Sequence, residues 1–317
     1  MCTLSSERVH QWLSEIRVLD GGFGTESRKL SNLQIDGHLA WSSRLLKEDP
    51  ELVVEIHKSF LRAGSDVIST NTYQAAPATL TKALDITNED AINLMRTAVD
   101  LAKRACPYGA CIADGSEYTG SYANKVSFAE IVEFHLLRAQ ILLESGVDFI
   151  AWETVPLLME VSAICEVMRR LPSAYSWISV SSPDGIKTSG GDLLTSVARE
   201  VGNCEQVFGV GVNCNIPHNC IGNIPRKLLL FYANDGRTWI PNDDKKQGHF
   251  IDYSEFNENS WFCSTTQWAK RRETPSDEQY AVYNKPPLAQ WVGGCCNIGP
   301  NYIRRLAEWM KSDEFTC

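Results

Sequence analysis

Short runs of β-branched and aromatic residues alternate along the chain with longer segments whose apolar positions recur at helical spacing. Eight runs read as strands: RVLDGG (17–22), DVIST (66–70), ACIAD (110–114), DFIAWE (148–153), SWISVS (176–181), VFGVGVN (207–213), LLLFYA (228–233) and QWVGGC (290–295). The third carries the weakest pattern. Between them, DPELVVEIHKSFLRAG offers Asp49 as a cap and Pro50 at the first helical position, with Leu52, Ile56 and Phe60 on one face. Residues 88–105, 127–146 and 299–312 read as further helices, each long enough to cross back over a parallel sheet. The alternation continues from end to end without a Pro/Ser-rich linker. Residues 1–317 are therefore expected to form one α/β domain, a (β/α)8 TIM barrel, with a doubly wound open sheet as the second arrangement the pattern allows.

Composition narrows the function classes. The chain is 44% hydrophobic and 22% charged, the balance of a globular protein rather than of a disordered or coiled-coil chain. Thirty basic against 39 acidic residues give a formal charge of −9, and no basic run of five occurs, so neither nucleic acid nor an anionic membrane is an expected partner. No stretch approaches the roughly 18 consecutive apolar residues of a membrane span. MCTLSSERVHQWLSEI lacks the basic start and apolar middle of a secretory signal, so a cytoplasmic location is expected. Eleven cysteines, an odd number scattered over a long chain, argue against a complete disulfide framework and for thiol or metal chemistry in a reducing compartment.

In a (β/α)8 barrel the chemistry sits at the C-terminal ends of the strands. There the sequence places Asp20-Gly21-Gly22, Thr70-Asn71-Thr72, Glu153-Thr154, Asn213-Cys214 and Gly293-Gly294-Cys295-Cys296. Strands six and eight flank strand seven, which brings Cys214, Cys295 and Cys296 within reach of one ion. Three sulfurs with an open fourth position suit zinc, and the preceding glycines are expected to give the backbone freedom to turn both adjacent thiols. An isolated CC dipeptide reads more simply as buried small residues; the strand-end placement shifts the reading. The other eight cysteines have no such placement and read as structural or incidental.

Asp20 and Glu153 form a carboxylate pair able to hold an ammonium group or to act as acid and base on a glycoside, and each reads equally as a solvated loop charge. DGGFGTE lacks the GxGxxG spacing of a dinucleotide site, and the histidines show no HExxH spacing. Trp41, Tyr73 and Trp152 are candidates for the barrel mouth, where aromatic faces attract a cation; core packing is their simpler role.

DGGFGTE, LAWSSRLL, STNTYQA, YGACIADGSEYTGSY, WETVP, GVNC and GGCCNIGP, in this order from residue 18 to about residue 300, make the chain resemble the zinc-dependent homocysteine S-methyltransferases. The resemblance implies a (β/α)8 barrel with Zn2+ held by Cys214, Cys295 and Cys296. It also implies that Asp20 and Glu153 help hold the homocysteine amino group, and that Gly22, Thr72 and Asn213 line the pocket. The implied reaction is methyl transfer from a sulfonium donor, S-methylmethionine or S-adenosylmethionine, to the homocysteine thiol, giving methionine. Betaine-using members carry a C-terminal extension that this chain lacks, and cobalamin-dependent relatives need additional domains; a monomer is expected. The chain departs from the family where Lys103-Arg104-Ala105-Cys106 runs directly into Pro107, at the expense of the third strand. A gapped barrel in a catalytically impaired zinc- or thiol-binding homologue is therefore the alternative to an active enzyme.

Overall fold

The computed structural model describes residues 17–105, 120, 122–214, 227–235, 238–241, 248–251, 258–270 and 291–312. Among these, β1 (Arg17–Val18), β2 (Ile150–Val155), β3 (Ser176–Val180), β4 (Val207–Asn213), β5 (Leu228–Ala233) and β8 (Trp291–Gly294) form one sheet, and β6 (Thr238–Pro241) pairs with β7 (Gly248–Ile251) in an antiparallel hairpin. The sheet is parallel throughout, in the order β1-β8-β5-β4-β3-β2. Val67 extends it beyond β1 through a parallel bridge to Leu19. Each strand thus lies beside its sequence neighbour among the predicted strands, and the last closes onto the first. A doubly wound sheet would reverse direction at a switch point. None occurs among the described residues, and the chain is an α/β protein of the (β/α)8 barrel type. The predicted third strand, 110–114, lies outside the described residues.

Helices cover the outside, and their ends follow the predicted chemistry. The helix Pro50–Ala63 starts with Asp49 accepting from the Leu52 N–H at 3.2 Å and stops at Gly64 in the left-handed region (φ 104°). Phe128–Glu144 opens with a reciprocal Ser127/Glu130 capping box. Asn88–Ala105 and Pro300–Lys311 fill the two remaining predicted helices.

Alternation along the strands divides the apolar residues into two cores. Outward-facing Val210, Val212, Leu229, Phe231 and Val292 pack against the helices. Inward-facing Leu19, Val67, Phe149, Trp177, Phe208, Leu230 and Trp291 fill the barrel. Phe149, Phe208, Trp177 and Trp291 meet edge to face with centroids 5.1–6.1 Å apart. This aromatic plug is accommodated by Gly209, where a Cβ would stand 2.6 Å from Leu230 Cδ1. Above it lies a hydroxyl layer in which Tyr232 accepts from Trp177 Nε1 at 3.1 Å and pairs with Ser179 at 2.5 Å.

Several expectations need correction. Strand one ends at Val18 with a bridge at Leu19, and Gly22 is already the cap of the helix Phe23–Leu30. Strand two shrinks to the Val67 bridge, because side chains replace its ladder: the Val18 N–H donates to Asp66 Oδ2 at 2.8 Å and the Ser69 N–H to Asp20 Oδ2 at 2.7 Å. The hairpin β6–β7 was not foreseen. Trp152 faces outward, packed edge to face on His135 at 5.2 Å, and is a core residue rather than part of the mouth. Among the described residues no helix is long and apolar enough to cross a membrane.

Candidate functional site

β4 and β8 both pair with β5, so the residues that follow them emerge side by side. Cys214 follows β4 in the left-handed region (φ 50°), with its N–H on the Tyr232 carbonyl at 3.4 Å. Cys295 follows β8, its N–H on the Ala233 carbonyl at 2.9 Å. The chain then turns tightly, the Ile298 N–H donating to the Cys295 carbonyl at 3.1 Å. Asn297, also left-handed (φ 67°), is tied down by Arg28 at 2.9 Å, by Asp235 at 3.2 Å and by Thr25 Oγ1 on its backbone N–H at 2.8 Å. The two adjacent thiols are thus aimed by a turn held from three sides.

The sulfurs of Cys214, Cys295 and Cys296 all lie within 4.8 Å of one another. Cys214 and Cys296 are 3.5 Å apart, and Cys214 and Cys295 are joined as a disulfide. Tetrahedral Zn–S bonds of about 2.3 Å separate sulfurs by just under about 4 Å, and the trio offers the donor type and number of a metal site at that scale of separation. Of the remaining cysteines, Cys165 and Cys204 are buried away from the mouth and Cys263 is half-buried; Cys2, Cys106, Cys111, Cys220 and Cys317 lie outside the described residues.

The glycines serve space rather than rotation. Cβ atoms on Gly293 and Gly294 would collide with Leu19 and Ile298, and one on Gly22 would stand 2.7 Å from the Cys295 carbonyl oxygen. Gly22 therefore lets the first βα loop approach the metal turn, and its N–H donates to the Ile298 carbonyl at 2.8 Å.

Asp20 is buried and accepts from the Ser69 N–H at 2.7 Å and from its hydroxyl at 3.3 Å. Burial pushes its carboxyl up to about 8, Glu153 adds to the rise, and the Ser69 bonds oppose it. The two predicted carboxylates are therefore near enough for the charge of Glu153 to act on Asp20. Thr72 is buried with its hydroxyl on Thr70 at 2.7 Å, and its carbonyl accepts from the buried Arg138 guanidinium at 3.3 Å. Asn213 grips Thr154, accepting from its N–H at 2.9 Å and donating to Oγ1 at 2.8 Å, and the same amide nitrogen lies 3.8 Å from Cys295 Sγ.

Sequence reasoning missed the grip's other half. Thr154 sits in the left-handed region (φ 61°), a conformation costing about 1–3 kcal/mol for a non-glycine residue. Tyr73 donates to its hydroxyl at 3.3 Å, and Trp41 stands 6.0 Å from Tyr73, so this aromatic pair, unlike Trp152, does reach the site. No residue-type pattern signals a left-handed threonine.

A family model described as homocysteine S-methyltransferase matches residues 17–310. The chain belongs to this family. It is 30% identical to homocysteine S-methyltransferase YbgG of Bacillus subtilis, covering 93% of this chain and 94% of that one. It is 35% identical to the betaine-homocysteine S-methyltransferase of Drosophila melanogaster, over 93% and 94% of the two chains. The homocysteine methyltransferase MmuM of Escherichia coli superposes in its oxidized form with a TM-score of 0.74 at 27% identity, over 94% of this chain and 96% of that one. Its metallated form gives 0.72 at 25% identity, over 95% and 99%.

Proposed function

We propose that the protein transfers a methyl group from a sulfonium donor, S-methylmethionine or S-adenosylmethionine, to the thiol of L-homocysteine, with Zn2+ held by Cys214, Cys295 and Cys296. The observation that carries this reading is the convergence of three sulfurs at the strand ends, on the same face as the buried Asp20 and the half-buried Glu153. Bound zinc would stabilise the thiolate over the thiol, which has an ordinary pKa of about 8.5, and so supply the nucleophile at neutral pH.

The chain's own groups do the rest. Asp20 and Glu153 together offer negative charge to the amino group of the acceptor. An ammonium between them favours ionisation of Asp20, which burial otherwise resists. Thr72 and Asn213 shape the polar end of the pocket, and Gly22 keeps it open where a side chain would strike the metal turn. Trp41 and Tyr73 present π faces to a cationic donor. Among the described residues, the aromatic plug fills the barrel beneath the site and keeps water from it on that side.

The test is a donor panel on reduced, zinc-loaded protein. Methionine is expected from homocysteine with S-methylmethionine or S-adenosylmethionine, with about one zinc per chain. Turnover with betaine alone would overturn the donor assignment. Bound zinc with no turnover on any donor would favour the catalytically impaired homologue, for which the one supporting observation is the departure around Pro107.

A further inference from the structure

β2 does not run straight into the site. Trp152 pairs with Ile178 and Val155 with Val180, so Glu153 and Thr154 together oppose the single residue Ser179 of β3. This is a bulge in a parallel ladder, a rare device that re-aims a side chain. It falls at the one carboxylate of β2 that reaches Asp20 electrostatically. Its second residue, Thr154, is fully buried, β-branched and left-handed, a combination that persists only where surrounding contacts enforce it. Those contacts come from Asn213 through both faces of its amide, and from the Tyr73 hydroxyl. Asn213 spans from β4 across β3 to do so, and its amide nitrogen also reaches Cys295.

We propose that Thr154 is a positioning residue: locked into the bulge by Asn213 and Tyr73, it aims Glu153 at the acceptor amino group and holds the Asn213 amide against Cys295. The inference rests on the function proposed above and adds to it the device that couples the acceptor pocket to the metal turn. The hydroxyl carries the coupling, because it is the shared acceptor for the two donors that converge from β4 and from the 66–73 segment.

Three substitutions separate this role from general packing. Thr154→Val keeps shape and branching but removes the acceptor that Asn213 and Tyr73 share. Thr154→Ser keeps the acceptor, and Thr154→Gly relieves the backbone while removing the hydroxyl. Thr154→Val is expected to raise the KM for homocysteine about 10-fold and to speed release of zinc to a chelator about 10-fold, the scale of outer-shell changes at metal sites. Thr154→Ser should return both affected values to near wild type. Thr154→Gly should match Val in both while melting no lower than wild type, which covers the case in which Val fails to fold. Wild-type homocysteine KM and zinc retention in Thr154→Val and Thr154→Gly, or a serine variant as impaired as valine, would overturn the proposal. If wild-type protein methylates no homocysteine from any donor, the functional reading fails, and the zinc-release arm with its serine rescue still decides the role of Thr154.

Discussion

The two walls of the barrel are built differently. On the wall made by β3, β4, β5 and β8, backbone ladders run to the strand ends with one register shift, at the start of β3 between Ser176 and Trp177, and the cysteines simply continue them. On the opposite wall, from β1 through Val67 toward β2, side chains do much of what ladders do elsewhere. Asp66 serves Val18, Asp20 serves Ser69, Arg138 serves the carbonyls of Thr72 and Tyr73, and Asn213 serves Thr154. A ladder fixes position through many equivalent bonds, whereas a side-chain clamp can be removed by one substitution. The cysteine cluster thus stands on the stiff wall, and the proposed acceptor pocket on the wall that single residues control.

The sharpest break between the walls is expected from Cys296→Ala. It should empty the metal site and reduce methyl transfer below about a hundredth of wild type, beyond the range seen for outer-shell changes, while melting close to the wild-type temperature in the reduced, metal-free state. Metal analysis with calorimetry on both proteins checks this.

Arg138→Met tests the other wall. It deprives the carbonyls of Thr72 and Tyr73 of a charged donor, which should cost about 2–4 kcal/mol in denaturant unfolding and weaken acceptor binding, with zinc content unchanged. Loss of zinc in this variant would mean that the walls are not separable.

Asp20 supplies a smaller, pH-dependent effect. Its folded-state value near 8 exceeds the ordinary 3.8, so between these limits the native state holds a proton that the unfolded chain releases. Its contribution to stability therefore falls as pH rises from about 4 to about 8. Asp20→Asn should remove that slope and raise Tm by several degrees at pH 9, where acceptor binding should be weakened. The smallest signal is proton release when methionine binds at pH 7: up to about one proton per chain in wild type and none in Asp20→Asn, read by calorimetry in buffers of different ionisation heat.

What could be read before folding follows the same division. β4 and β5 span the predicted residues 207–213 and 228–233, and the helix Asn88–Ala105 its predicted range, because their apolar periodicity and caps are strong local signals. The three cysteines were legible because strand ends on a laddered wall fix where the next residue goes. On the clamped wall the pattern misled. DVIST has strand composition, yet Asp66, Asp20 and Ser69 divert its hydrogen bonds. The bulge at Glu153–Thr154 leaves no mark in residue type, since the partner that forces it, Asn213, lies 59 positions away. The hairpin β6–β7 escaped because four residues in each strand, TWIP and GHFI, carry too little alternation to separate it from a loop.

The aromatic plug has a kinetic corollary. Among the described residues, Trp177, Phe208, Phe149 and Trp291 fill the barrel beneath the strand ends, so reactants seated above them would come and go on that side. A molecule lodged against the rings would sit behind its co-reactant, which makes the order of arrival and departure part of turnover.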